Sequence, residues 1–121
     1  MPVVHVRGSE VDRAAAAAAL VVVAHEVAEA VPCDVASVWC TFTGLGVQTI
    51  GDRVMDGVGR ILYVDVWIRP RPGDLRAAPR ALEAACGAAA AAFGVPAEDV
   101  WGTLRPVVGG RVFAGGALIE G

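Results

Sequence analysis

Apolar and polar positions change period along this chain in an order that occurs twice. Residues 2–7 set Val4 and Val6 against His5 and Arg7, the two-residue alternation of a half-buried strand. Ser9 reads as a helix cap ahead of Glu10 and Asp12, whose charges suit a helix N-terminus. The alanine-rich run that follows carries Leu20, Val23, Val27 and Val31 at helical spacing and predicts a helix as far as Ala30. Pro32 stops it. Val35–Phe42 reads as a second strand, and Gly44–Gly59, with five glycines, as a connector with room for a hairpin. The order then repeats: strand over Ile61–Ile68, helix over Asp74–Phe93, strand over Val100–Leu104. A tail to Gly121 holds one short strand around Arg111–Phe113.

Offsetting the chain against itself by 62 positions brings Val4-His5-Val6-Arg7 onto Val66-Trp67-Ile68-Arg69, and Val38-Trp39-Cys40-Thr41-Phe42 onto Val100-Trp101-Gly102-Thr103-Leu104. Asp12 falls on Asp74 at the same offset, whereas Val31-Pro32 and Val95-Pro96 lie two residues further apart. The chain therefore reads as one domain over 1–121, with pseudo-repeats over 2–43 and 61–105, a connector over 44–60 and a tail over 106–121. Parallel strands within each half require right-handed crossovers. The predicted fold class is α/β (α+β): two tandem β-α-β units in a four-stranded mixed sheet with two helices on one face. An apolar opposite face would exceed what a soluble monomer exposes, so the pattern predicts an oligomer.

Composition narrows the chemistry. The chain is 55% hydrophobic and 19% charged with a net charge of −3, which leaves no broad cationic footprint for nucleic acid or anionic lipid. All ten cations are arginine, so amine chemistry has to come from the chain's own N-terminus. Cys33, Cys40 and Cys86 are odd in number, without CxxC spacing or a histidine cluster, which argues against a disulfide framework and a structural zinc site and fits a reducing cytoplasm. The apolar run Ala14–Ala24 is eleven residues, short of the roughly 18 that span a bilayer, and no secretory pattern precedes it.

Four features carry candidate chemistry, each with a plain alternative. Pro2 follows Met1 directly; removal of the methionine would expose a secondary amine, while a proline at this point also simply begins a strand. Arg69 and Arg71, in Ile68-Arg69-Pro70-Arg71-Pro72-Gly73, are two residues apart in an extended segment and can aim two guanidinium forks at one carboxylate, or belong to a solvated loop. His25 lies one step round from the Leu20–Val27 stripe, which permits either a sheet-facing site or an ordinary packing role. Asp34, after Pro32, is an available acid or a turn residue.

The Met-Pro start running into a valine-rich strand, the doubled β-α-β unit and the arginines opening the second half resemble the tautomerase superfamily. Within it the chain is most similar to the fused, double-length branch of malonate semialdehyde decarboxylase and cis-3-chloroacrylic acid dehalogenase. The resemblance spans nearly the whole chain. It implies Pro2 as the catalytic proline, Arg69 and Arg71 as the carboxylate-binding pair, His25 as the branch's helical histidine, and Asp34 near the decarboxylase's aspartate, although Asp34 stands one residue early. Where the dehalogenase has a tyrosine and then a glutamate, this chain has Thr103 and the apolar region around Val112, and its one tyrosine is Tyr63. Hydrolytic dehalogenation is therefore not implied.

What the resemblance does imply is a cofactor-independent homotrimer, without metal, acting on a small carboxylate. The leading expectation is a tautomerase or isomerase of 2-hydroxy-alkenoates or 2-oxo acids with Pro2 as general base and acid. A decarboxylase or hydratase of a malonate-semialdehyde-like acid is the alternative. A non-catalytic oligomeric binding protein is the third reading, for a chain that retains Met1.

Overall fold

A computed structural model describes residues 2–55 and 61–120. Met1, the connector residues 56–60 and Gly121 lie outside the described residues. Strands β1 (Val3–Ser9), β2 (Trp39–Leu45), β5 (Leu62–Ile68) and β6 (Val100–Pro106) form one sheet in the order β2-β1-β5-β6. Within each half the strands are parallel, Val3 facing Trp39 and Leu62 facing Val100; the halves join through an antiparallel β1–β5 pair in which Val3 faces Trp67. Helices α1 (Arg13–Ala30) and α2 (Ala77–Phe93) cover one face. The expected mixed four-stranded sheet with two tandem β-α-β units is the observed one.

Alternation explains which face is covered. Val4 and Val6 of β1 and Leu62, Val64, Val66 and Ile68 of β5 are buried against Ala19, Val23 and Val27 of α1 and the ridge Ala77, Ala81, Ala85, Ala89 of α2. Alanines at every fourth position let the helix approach the sheet closely. Gly102 on β6 extends this, since a Cβ there would meet Cys86 Sγ at 2.5 Å.

Element boundaries moved for local reasons. Asp12, not Ser9, caps α1, its carboxylate accepting from the Ala15 N–H at 2.8 Å, because β1 continues through Ser9 beside Leu45. A short 3₁₀ turn at Val35–Ser37 takes up the start of what reads as strand, and a matching turn at Ala97–Asp99 leads into β6. Asp74 precedes α2, which begins after Arg76 and tolerates Pro79 because first-turn N–H groups have no helical partner. Gly94 ends α2 with a left-handed φ of 68°. The connector does form a hairpin, β3 (Gln48–Ile50) with β4 (Arg53–Met55). Buried Gln48 ties it to the sheet, donating to the Ile61 carbonyl at 2.8 Å and accepting from Ser9 Oγ at 3.2 Å. The tail closes in a second hairpin, β7 (Phe113–Ala114) with β8 (Ala117–Leu118).

The open face differs from the apolar surface anticipated. Asp65 accepts a hydrogen bond from Thr103 and lies 3.7 Å from Arg7 and 3.8 Å from Arg105. Those arginines cover the rings of Tyr63 and Trp67, and His5 hydrogen-bonds Thr41. Exposed Trp39 and Trp101 flank this charged network on the two outer strands. The strands alternate as expected, but the centre of the outward face holds paired charges, with exposed apolar area at the two outer tryptophans. Among the described residues, no helix is long and apolar enough to cross a membrane.

Candidate active site

Antiparallel pairing between the halves brings distant residues together. Because β1 runs opposite to β5, the beginning of β1 meets the end of β5, and Pro2 comes to the segment that leaves Ile68. The turn after α1 closes the third side. These parts surround a cavity of about 290 Å³ lined by Pro2, Val31, Cys33, Arg69 and Arg71, among others.

Each candidate side chain at this cavity has an identifiable support. Pro2 is buried, and its carbonyl accepts from the Trp39 N–H at 3.1 Å, which sets the ring at the cavity wall. Arg69 and Arg71 both reach the cavity but are steadied from opposite rims. Arg69 Nη2 donates to the Glu120 carbonyl in the tail at 3.0 Å; Arg71 Nη2 donates to the Pro32 carbonyl at 3.2 Å. A guanidinium offers five donors, so one such anchor on Arg71 leaves its planar fork able to take a carboxylate. On the other side of Arg69 a second cavity, of about 280 Å³, lies between Val3 and Trp39 of the sheet and Val112, Phe113 and Ile119 of the tail. Arg69 thus separates a polar chamber from an apolar one.

His25 and Asp34 are not brought to this cavity. His25 is exposed, on the side of α1 away from buried Val23 and Val27, which corrects the sheet-facing placement. Asp34 is exposed and caps the 3₁₀ turn, accepting from the Ala36 N–H at 3.0 Å, the turn role its position allowed. Thr103 serves the open face through Asp65.

Val31 and Cys33, a helix-stripe residue and a free thiol in the sequence, become cavity wall because the stop at Pro32 folds the chain over the β1 terminus. Next to the Arg71 segment lies a second pair, Asp74 and Arg80. Arg80 donates to Asp74 through Nη1 at 3.3 Å and Nη2 at 2.6 Å, and this holds the Asp74 carboxyl below its ordinary value. Their six-residue separation, with Pro79 between them, was the available signal. The three cysteines are free thiols. Burial pushes Cys40 up to about 11 and raises Cys86. Among the described residues no group of three or more His, Cys, Asp or Glu side chains is placed to hold a metal ion.

No family model and no curated protein matches the chain. Solved structures do. A fused 4-OT described as a wild-type symmetric trimer aligns with a TM-score of 0.77 at 19% identity, over 97% of this chain and 94% of that one. Pt0534 inactivated by 2-oxo-3-pentynoate aligns at 0.79 and 16% identity, over 97% and 94%. A member of the cis-3-chloroacrylic acid dehalogenase family aligns at 0.76 and 16% identity, over 98% and 83%. At such identities the likeness is one of fold: the chain has the fold of the tautomerase superfamily.

Proposed function

We propose that this protein is a cofactor-independent tautomerase or isomerase of small enolic 2-oxo acids, with the amine of Pro2, freed by removal of Met1, as the proton carrier. The observation that supports it is the placement of Pro2, Arg69 and Arg71 around one cavity by the antiparallel joining of the two halves. An N-terminal amine ordinarily titrates near about 7.7 to 8, and neighbouring guanidinium groups disfavour its protonated form, so the free amine is available as a base near neutrality.

In the proposed cycle Arg69 and Arg71 hold the substrate carboxylate and fix the enol beside Pro2. The Pro2 nitrogen takes the enol proton and returns it to carbon, giving the 2-oxo product and regenerating the free amine. The arginines stabilise the enolate as charge develops, at the edge of a chamber walled by Val31 and Cys33. Neighbours of the same fold are described as trimers, and we extend that to this chain as a homotrimer. Asp34, exposed and occupied as a cap, is not assigned a part.

The test compares wild type with Pro2→Ala in conversion of enol to keto phenylpyruvate, with malonate semialdehyde decarboxylation in parallel. A primary amine survives in Pro2→Ala, so the expected loss in kcat/KM is about 100-fold, at the low end for a displaced proton carrier. Arg71→Ala is expected to raise KM. Full activity in Pro2→Ala, or a purified chain that retains Met1, overturns the reading, and turnover only of the semialdehyde redirects it to decarboxylation.

A further inference from the structure

We infer that Asp74 and Arg80 form a positioning clamp that holds the Arg71 segment against the end of α1; the inference rests on the proposed role of Arg71 in binding the substrate carboxylate. The contacts make a closed circuit. Arg80 Nε donates to the carbonyl of Ala30, the last residue of α1, at 3.1 Å. The other two guanidinium nitrogens donate to both oxygens of Asp74, at 3.3 and 2.6 Å. The Asp74 N–H donates to the Arg71 carbonyl at 3.1 Å, and Arg71 Nη2 returns to Pro32, two residues beyond Ala30, at 3.2 Å.

One arginine therefore reads two things at once, the exit of α1 and the backbone that carries Arg71. Those are two walls of the Pro2 cavity, donated by opposite halves of the chain. A planar fork with a third N–H alongside suits this three-point task, which an ammonium on a flexible stem meets less well. The circuit also separates this pair from ordinary surface pairing. Arg76, at the cap of α2, and Glu83 on that helix approach only to 3.8 Å with both side chains more than two-thirds exposed, and neither lines the cavity. Between Arg71 and Asp74 the chain turns through Pro72 and Gly73, whose φ is +84°, so the lone bridge between Arg71 and Asp74 holds that turn from within. Asp74 and Arg80 hold it from without. Asp74 also accepts from the Arg76 N–H at 3.1 Å, which ties the clamp to the start of α2.

The test uses the full-length processed protein with Arg80→Gln, Arg80→Lys and Arg71→Ala. Arg80→Gln is expected to raise KM for enol phenylpyruvate about tenfold while kcat stays within about twofold, because the displaced group binds the carboxylate and does not move the proton. Arg80→Lys, which keeps the charge on Asp74, recovers part of that loss. In Arg71→Ala the further change Arg80→Gln adds little, since both act on one contact. An unchanged KM, a loss confined to kcat, or additive effects overturn the clamp.

Amide exchange keeps this apart from failure of the proposed reaction. In Arg80→Gln the Asp74 N–H exchanges faster than in wild type, while that of Val66, in the buried centre of β5, does not change. If wild type converts no enol acid but Asp74 exchange accelerates, the catalytic reading fails and the clamp stands. If Asp74 exchange is unaltered, the clamp fails whatever the kinetics.

Discussion

Replacing glycine by alanine should have opposite signs at two places in the same packing unit. Gly102 lies on β6 under α2, and its new methyl would be 2.5 Å from Cys86 Sγ and 3.2 Å from Leu82 Cδ1. Comfortable carbon contacts begin near 3.5 Å, so the sulfur has to retreat by about 1 Å. β6 offers no give, because Gly102 is paired with Val64 in the parallel ladder. Overpacking of this kind costs about 1–3 kcal/mol, and the lower chain entropy of alanine returns about 0.4–1 kcal/mol. The net is a destabilisation of about 0.5–2 kcal/mol, several degrees in Tm for a chain of this length. Gly87 is exposed on the outer side of α2 with nothing within 4 Å of its absent Cβ, so Gly87→Ala should stabilise by about 0.5–1 kcal/mol. Urea unfolding followed by circular dichroism at one fixed protomer concentration measures both. Cys86→Ala removes the obstructing sulfur, so the double variant should be more stable than the two single changes add up to. A Gly102→Ala protein as stable as wild type, with no coupling to Cys86, would refute this account of how α2 meets the sheet.

Two further outcomes follow from the charges and thiols. Arg80 holds the Asp74 carboxyl below its ordinary value, so Asp74 contributes stability above the unfolded value of about 3.9 and loses it as pH falls through the lower folded one. Asp74→Asn is therefore less stable than wild type at pH 7, and the gap closes below about pH 4 in urea titrations at each pH. Cys40, at about 11, is expected to alkylate at pH 8 on the order of a hundredfold more slowly than a free thiol, read by mass spectrometry of the peptide that carries it.

The doubled β-α-β plan was legible because valine alternation in β1 and β5 survives any detail of packing: both strands lie in the sheet centre with one face fully covered. Pro2, Arg69 and Arg71 were legible as candidates because proline and paired arginines have chemistry independent of their surroundings. Where His25 points was not. Val21 and Val22 of α1 are exposed while Ala19 and Val23 are buried, so the apolar run marks no side of the helix, and exposed Glu26 and Glu29 are the polar neighbours that share the side of His25. The apolar open face was misread for a related reason: alternation shows which residues share a face, not that Asp65 draws Arg7 and Arg105 to itself across three strands. Cys33 meets Arg69 and Arg71 around one cavity, and Arg80 meets Ala30, only through the docking of the two halves, which leaves no local period in the chain.

The proposed proton transfer depends on the Pro2 amine. With no lysine in the chain, incubation with 2-oxo-3-pentynoate, an electrophile bearing the carboxylate the arginines would hold, offers one amine and three thiols as targets. Trypsin separates Pro2–Arg7 from the peptide containing Cys33 and Cys40, and fragmentation of each peptide separates Pro2 from His5 and Cys33 from Cys40, so the site of a single adduct can be located by mass. The prediction is loss of activity matched by one adduct on Pro2–Arg7, suppressed in Arg71→Ala. An adduct on Cys33, or an N-terminal peptide that stays unmodified while activity is lost, would contradict it.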